Sequence, residues 1–309
     1  MNEVIKQLAE HINWSAIVRT TFIPKGFSFD EKWRIELETG KVYFIKICDI
    51  KLLHHKQEEF QLMKHFESKG VPVPTPIHFV ELHGLEKCVQ VFEWIEGEDG
   101  EEALGKLTLQ EQYENGKKAG EVLKRIHTLQ KQEAKESWEE YRWAKYERYI
   151  AELTKYGIED IDLESVITYV EDHKYLLKDR PNLFIHDDFH PANLMFQDKK
   201  LRAVIDFDRF EWGDPYHDFY KVALFTRKIS EPFAIGQVHG YFEGEPPIHF
   251  WKLYTLYAAM IFPSDIVWSY KVTPDCVDIM KERLNMIIDD HNGFTSYIPN
   301  WYKSKGFQS

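Results

Sequence analysis

Apolar and polar positions in the first hundred residues alternate as they do in strands and amphipathic helices. A period near two puts apolar side chains on one face of a strand, and a period near 3.6 does so on a helix. The predicted elements are a helix over 3–13, a hairpin of strands over 33–38 and 41–48, a helix over 51–68 and a strand over 87–94. The turn Thr39-Gly40 joins the hairpin, and the prolines of 70–74 end the second helix. This part of the chain is therefore predicted to form an antiparallel sheet with one long helix.

Helical spacing dominates from Leu109 onward. The predicted helices there are 109–129, 160–179, 219–228, 248–262 and 275–290. Three short apolar runs predict strands at 183–185, 194–196 and 201–205. We predict that most of the aromatic side chains near the C-terminus are core residues, namely Trp251, Tyr254, Tyr257, Phe262, Trp268 and Tyr270.

The clearest domain boundary is the acidic, glycine-bearing stretch over residues 95–100. It predicts two domains, residues 1–94 and residues 95–309. A chain of 309 residues with 43% hydrophobic residues is long enough for two such cores.

The charge balance restricts the partners. A net charge of −12 argues against nucleic acid, whose phosphates require a basic surface, and suits a cationic ligand. An acidic surface that serves solubility alone is the alternative. Three widely separated cysteines argue against a disulfide framework and for a reducing compartment. With no signal-like or membrane-spanning apolar run, we predict a soluble cytoplasmic protein, monomeric or homodimeric, without a membrane partner.

The densest group of polar side chains lies between the first two short strands predicted in the C-terminal part. It consists of His186, Asp187, Asp188, His190 and Asn193. Burying so many polar groups unpaired would be costly, so we expect a compensating partner such as a divalent cation. Asp188 and Asn193 have the D-x-x-x-x-N spacing of phosphotransferase catalytic loops. Asp206 follows the predicted strand over 201–205, and a metal-binding aspartate is expected at the end of such a strand in this chemistry.

These residues resemble one known family. Residues 186–193 read HDDFHPAN, residues 204–207 read VIDF, and residues 213–218 read GDPYHD. Together they resemble the aminoglycoside phosphotransferase and choline kinase-like family. The resemblance implies an α+β, bilobal protein kinase-like fold, with an N-terminal antiparallel sheet lobe plus one helix and a larger, mostly helical C-terminal lobe. It also implies phosphorylation of a small-molecule hydroxyl; aminoglycosides, macrolides, choline, homoserine and sugar derivatives are acceptors within the family.

The resemblance implies a role for each motif residue. Asp188 would be catalytic and would accept or orient the proton of the acceptor hydroxyl, while Asn193 and Asp206 would bind Mg²⁺. Lys46 lies among apolar neighbours on its predicted strand, so it must be paired, reach to solvent, or lie at a sheet edge. In the family reading it neutralises nucleotide phosphates and pairs with Glu59 of the following helix, or alternatively with Glu58.

The nucleotide, ATP or GTP, has two further predicted contacts. Residues 24–30 would form the phosphate-covering loop, although with a single glycine this motif is weak. Backbone groups of Glu93, Trp94 and Ile95 would bind the purine edge; the alternative is an ordinary surface linker.

The chain departs from the family at Asp187, where the family usually has glycine. A second carboxylate can raise the pKa of its neighbour and makes the register less certain, but the spacing to Asn193 favours Asp188. We interpret His186 and His190 as residues that shape the loop. Asp214 and Asp218 would brace it, and His127 would be a buried structural histidine. None of these residues would take part in the reaction.

Two other functions remain open at this stage. One is a metal-dependent hydrolase that uses a cluster of His186, Asp188 and His190. The other is a kinase-fold protein that binds a small molecule without turnover. Asp208 and Glu211 would face either a cationic acceptor or solvent.

Overall fold

The computed structural model describes residues 2–26, 29–130, 136–158 and 160–303. The chain forms two compact units. The first comprises the chain up to Glu98 together with Arg202–Asp208, and the second comprises Asp99–Leu201 and the chain from Arg209 onward. The first unit thus includes a segment that lies far along the chain, beyond the boundary predicted at residue 95.

A five-stranded antiparallel sheet forms most of the first unit, with strand order β1-β2-β3-β5-β4. Its strands are β1 Ile17–Phe22, β2 Glu31–Leu37, β3 Val42–Asp49, β4 Pro76–Leu82 and β5 Lys87–Glu93. The predicted hairpin is β2 and β3, in which Trp33 pairs with Ile45. The alternation along β3 is also as predicted, because Ile45 and Ile47 enter the core and Lys46 points to the opposite face.

Two helices accompany this sheet, α1 (Glu3–His11) and α2 (Leu53–Ser68). α1 buries Ile5 and Leu8 against the apolar face of the sheet, as its amphipathic pattern requires. α2 buries Phe60, Met63 and Phe66 among other side chains. Both helices were predicted from the sequence, to within two residues at each end.

The second unit is mainly helical. Among the described residues, its α-helices are α3 (Gly100–Leu104), α4 (Leu109–Ile126), α5 (Trp138–Leu153), α6 (Leu163–His173), α7 (Arg227–Ile229), α8 (Glu231–Phe242), α9 (Ile248–Met260), α10 (Phe262–Val272), α11 (Val277–Asp290) and α12 (Asn300–Lys303). The short strands of the chain outside the large sheet are β6 (Glu98–Asp99), β7 (Leu183–Ile185), β8 (Leu194–Gln197), β9 (Lys200–Val204) and β10 (Glu211–Gly213). A π-helix, Val222–Thr226, precedes α7.

The sequence analysis missed the longer helices α5, α8 and α10 and the short helices α3 and α12. The hydrophobic side chains of α8 point in nearly all directions because the helix is buried on most sides, so it lacks the one-sided pattern that predicts a surface helix. α9 and α10 lie in one continuous apolar stretch that breaks at Ile261, just before Pro263. Four of the six aromatic residues predicted for the core are buried: Trp251, Tyr254, Tyr257 and Phe262.

The predicted α+β class, with an antiparallel sheet first and helices after it, is confirmed. Among the described residues, no helix has the length and apolarity needed to cross a lipid bilayer.

Candidate active site

Lys46 is the centre of a buried ion-pair network in the first unit. Its side chain is only 6% exposed, and its Nζ lies 3.3 Å from Oε1 of Glu59 and 2.9 Å from Oδ1 of Asp206. Gln90 holds the other oxygen of Glu59 at 3.1 Å. Strand β3, helix α2 and the end of β9 each contribute one charged group. Glu58 is exposed, so the partner of Lys46 is Glu59 and not the alternative.

The network keeps its members charged. Burial by itself would lower the pKa of Lys46, but the carboxylates of Asp206 and Glu59 outweigh burial and raise that pKa well above its usual range. The ammonium of Lys46 in turn holds the pKa of Asp206 below its ordinary value, although burial opposes this. Asp206 has a φ of +62°, a left-handed conformation that aspartate tolerates better than most residues.

A second buried lysine was not singled out by the sequence analysis. Lys56 of α2 is 1% exposed, and its Nζ lies 2.5 Å from Asp30 and 2.6 Å from Asp208. Nε2 of His55 also lies 2.8 Å from the backbone oxygen of Asp208. Asp208 is therefore paired with Lys56 and His55 within the first unit. Only the i, i+3 spacing of Lys56 and Glu59 hinted at this arrangement.

The predicted purine contacts at the end of β5 are partly occupied by the protein itself. The N–H of Glu93 donates to the carbonyl of Thr75 at 2.9 Å, and the N–H of Trp94 donates to the carbonyl of Val42 at 3.2 Å. A purine would therefore have to use other backbone atoms of Glu93, Trp94 and Ile95. Within the predicted phosphate-covering loop over 24–30, residues 27 and 28 lie outside the described residues.

Asp188 lies in the second unit, where two nitrogen donors hold its carboxylate. Nδ2 of Asn193 donates to Oδ2 at 3.0 Å and to the backbone oxygen of Asp188 at 2.9 Å. Nζ of Lys221 donates to Oδ1 at 2.6 Å. Nε2 of His190 lies 3.5 Å from the same Oδ1. Asp188 and Asn193 are thus brought together as their spacing predicted, whereas Lys221 came from no motif.

The pKa of Asp188 lies well below its usual range. Burial would raise it, but Lys221 and then His190 outweigh burial. The expectation that Asp187 raises the pKa of its neighbour is therefore wrong in its net effect. The reason is that a close ammonium acts on Asp188 more strongly than a carboxylate that is itself paired.

Asp187 occupies a backbone position that suits glycine. Its φ is +57°, in the left-handed region that glycine adopts without cost and aspartate at a small one. Its carboxylate lies 3.2 Å from Nδ1 of His217. Burial would raise the pKa of Asp187, and the contact with His217 outweighs it and lowers that pKa. The departure from the family sequence thus keeps the loop conformation and turns the carboxylate toward His217.

Buried hydrogen bonds fix the loop as predicted. Asp218 accepts the backbone N–H groups of His186 at 2.8 Å and Asp187 at 2.6 Å. His127 contacts the same carboxylate at 2.9 Å through Nε2 and is buried. Nδ1 of His186 accepts the N–H of Asp188 at 3.3 Å, as expected of a residue that shapes the loop.

The second bracing residue, Asp214, acts from the segment before Asp218. It caps the short 3₁₀ turn Pro215–Phe219 by accepting the N–H of Tyr216 at 3.1 Å. Its carboxylate also accepts two N–H groups of Arg180, at 2.6 and 3.0 Å, and the hydroxyl of Tyr257 at 2.7 Å. Many polar groups of this region therefore have protein partners.

Two remaining alternatives lose support. Glu211 is paired with Lys145 at 2.5 Å and Tyr141 at 2.9 Å, so it does not stand open to solvent. Within the part of the chain that the structure describes, no three His, Cys, Asp or Glu side chains are grouped so that they could hold a metal ion. This disfavours the hydrolase cluster of His186, Asp188 and His190, because such a site needs three converging ligands.

Comparison with known proteins agrees with the geometry. The sequence of residues 19–251 matches the family model described as "Phosphotransferase enzyme family". A search of curated proteins by sequence finds no match.

Several solved structures have the same fold. The complex of gentamicin with APH(2")-IIa is 18% identical, with a TM-score of 0.66 over 92% of this chain and 96% of that one. A thermostable mutant of aminoglycoside phosphotransferase APH(4)-Ia, in a ternary complex with ADP and hygromycin B, is 16% identical, with a TM-score of 0.68 over 93% and 98%. ADP-bound APH(2'')-Ib is 18% identical, with a TM-score of 0.65 over 92% and 97%.

The family match covers about three quarters of the chain, and the structural matches cover nearly all of it. The chain therefore belongs to the phosphotransferase enzyme family: it is a small-molecule phosphotransferase with a hydroxyl group as acceptor, built on the protein kinase-like fold.

Proposed function

We propose that this protein transfers the γ-phosphate of ATP or GTP, with Mg²⁺, to a hydroxyl group of an amino-bearing small molecule such as an aminoglycoside. The observation that carries the proposal is the buried Lys46, held at 3.3 Å by Glu59 and at 2.9 Å by Asp206. A strand lysine paired with a helix glutamate is the arrangement that binds nucleotide phosphates in kinases. The nucleotide is also favoured by the relatives, whose structures contain ADP or AMP-PNP.

Mg²⁺ would be held by Asp206 and Asn193. Carboxylate and amide oxygens are the ligands that this hard cation prefers, and Asp206 is kept ionised by Lys46. When bound, the cation supplies charge neutralisation for the phosphate oxygens. The other functions fall to side chains: Lys46 binds phosphate, and Glu59 keeps the lysine in place.

Asp188 orients the acceptor hydroxyl. A general base works best when its pKa lies near the operating pH, and the pKa of Asp188 is far lower. Its carboxylate is therefore a weak base, but it is a well-oriented hydrogen-bond acceptor. Phosphoryl transfer depends mainly on positioning and charge neutralisation, so this role is enough to matter.

The acceptor is inferred from charge and from the relatives. A chain with a net charge of −12 attracts cationic ligands over neutral ones. The structural relatives were solved with gentamicin, hygromycin B and streptomycin, which makes these compounds the first acceptors to test. Each would be supplied with Mg²⁺ and either ATP or GTP, and the phosphorylated product detected by mass spectrometry.

The deciding experiment compares two adjacent carboxylates. Asp188→Asn removes the charge that we place at the reaction, and we expect kcat to fall by about 10²-fold because the acceptor hydroxyl is no longer held in place. Asp187→Asn is the matched control, because asparagine tolerates the left-handed backbone at this position. We expect this control to keep most of the activity. Circular dichroism should show both variants folded. Wild-type turnover in Asp188→Asn would refute the proposed role.

A further inference from the structure

We propose that Lys221 is a positioning residue for the phosphoryl transfer, because it fixes one oxygen of the Asp188 carboxylate while Asn193 fixes the other. This inference rests on the function proposed above, in which Asp188 orients the acceptor hydroxyl. Asp188 and Asn193 belong to the motif loop over residues 186–193, whereas Lys221 lies outside the motifs on which the family resemblance rests.

Hydrogen bonds from Lys221 and Asn193 fix the orientation of the Asp188 carboxylate. Nζ of Lys221 lies 2.6 Å from Oδ1, and Nδ2 of Asn193 lies 3.0 Å from Oδ2. Each oxygen of Asp188 therefore has its own donor, and the two donors come from sites 28 residues apart in the chain. Because both oxygens accept hydrogen bonds, the carboxylate cannot rotate about χ2 without losing the bond from the Lys221 ammonium or the bond from the Asn193 amide.

The lysine itself is confined. Its side chain is 5% exposed, and its ammonium lies 5.0 Å from the ring centre of Tyr220 and 5.2 Å from that of Phe225. Phe225 also packs against His190, with ring centres 4.8 Å apart. Aromatic faces attract a desolvated cation, so these rings hold the ammonium at the carboxylate.

An unusual backbone segment brings this group together. Lys221 immediately precedes the π-helix Val222–Thr226, which contains Phe225. A π-helical turn is rarer than an α-helical one and occurs frequently at functional sites. Here the turn places Phe225 over both Lys221 and His190. We infer that the segment is shaped to present the lysine to Asp188.

Removing the ammonium of Lys221 should lower the rate of phosphoryl transfer but not the binding of the nucleotide. Without the ammonium, Asp188 keeps only Asn193 at one oxygen and the more distant His190 at the other, so its carboxylate can turn. Misplacing a reacting group by about 1 Å costs on the order of 10²-fold in rate. Binding of the nucleotide depends on Lys46 in the other unit and should hardly change. We therefore expect a loss in kcat and little change in KM for ATP.

The test measures phosphate release from ATP with Mg²⁺, in which water is the acceptor, so it requires no knowledge of the natural acceptor. Lys221→Met should lower kcat by about 10²-fold, with KM for ATP changed by less than about threefold. Lys221→Gln keeps an N–H donor without the charge and should lose less. Lys228→Met, at an exposed lysine seven residues further on, is the matched control and should behave like wild type.

A double-mutant cycle separates positioning from general stability. Because Lys221 acts through Asp188, adding Lys221→Met to Asp188→Asn should lower kcat no further. A merely structural lysine would give additive losses, together with a fall in Tm that parallels the loss of activity. Additive losses overturn the proposal, as does wild-type kcat in a folded Lys221→Met or Lys221→Gln variant.

The two hypotheses fail in different ways. If Asp188→Asn loses phosphate release but the Lys221 variants do not, only the role of Lys221 is refuted. If Asp188→Asn keeps wild-type release, the role proposed for Asp188 fails, and the role of Lys221 fails with it. The proposed function itself fails if none of the amino-bearing acceptors is phosphorylated with either nucleotide. Should Lys221→Met not fold, Lys221→Gln carries both the kinetic comparison and the cycle.

Discussion

Helices α4 and α8 pack so closely that a single methyl group at Gly120 should destabilise the protein. Gly116 and Gly120 of α4 face α8, and Gly236 and Gly240 of α8 face α4. A Cβ atom added at Gly120 would lie 2.6 Å from the backbone nitrogen of Tyr241, and closer still to the carbonyl oxygen of Gln237. Both atoms belong to the backbone of α8, so neither can rotate away. The helices would have to separate.

The magnitude follows from two opposing effects. Ordinary contact begins at 3.4 Å, so the shift needed at Tyr241 is about 0.8 Å. Overpacking of this kind costs about 1–3 kcal/mol, and a gap of 0.5–1 Å forfeits a quarter to a half of the dispersion energy of the atoms it separates. Replacing a helical glycine by alanine gains only about 1 kcal/mol in helix propensity. With the clash at the upper end of its range, Gly120→Ala should lower the free energy of unfolding by about 2 kcal/mol.

The assay is thermal unfolding followed by circular dichroism, with urea unfolding as a second measurement. A loss of about 2 kcal/mol corresponds to a fall in Tm of roughly 4–8 °C for a unit of this size. Gly105→Ala is the matched control, because nothing lies within 4 Å of its added Cβ and its φ of −64° suits alanine. That variant should be neutral or more stable by up to about 1 kcal/mol. Equal Tm values for the two variants would refute the close-packing argument.

Two further predictions concern buried charges. The pKa of His291 is lowered to about 4, first by burial, while its Nδ1 lies 2.8 Å from the carbonyl of Ser296. Because this folded-state pKa lies below the unfolded value, the contribution of His291 to stability is complete above about pH 6.5 and is lost as the pH falls toward 4. Urea unfolding measures how far the free energy of unfolding falls between pH 7 and pH 4.5. This fall should be smaller by about 2 kcal/mol in His291→Gln than in wild type. An equal fall in both proteins would contradict the pKa shift assigned to His291. Lys56→Met should lower the free energy of unfolding by about 3–5 kcal/mol, because it removes the buried ammonium that neutralises the carboxylates of Asp30 and Asp208. In urea unfolding, the exposed Lys64→Met on the same helix should differ little from wild type, and a similarly small effect of Lys56→Met would show that the buried network is dispensable.

Site residues close together in the sequence were easier to predict than those brought together by folding. Asp188 and Asn193 are five residues apart within one motif loop, so the motif indicated that they meet. Lys46 and Glu59 are thirteen apart and join a strand to the next helix, which the family resemblance also implied. Lys221 could not be found in this way. It lies 33 residues beyond Asp188 in a segment whose apolar pattern predicts an ordinary helix, and no periodicity reveals a π-turn.

The sequence by itself determined six strands, most of the longer helices and the motif loop, because periodicity and turn chemistry act between residues that are near neighbours in the chain. The six strands are β2, β3, β5, β7, β8 and β9. Only the tertiary structure decided which ammonium meets which carboxylate. Lys46 pairs with Asp206 from 160 residues away, and Lys56 pairs with Asp208 from 152. The physical reason is that an ion pair depends on a few ångströms of separation in a desolvated place, and that separation is set by how distant elements pack.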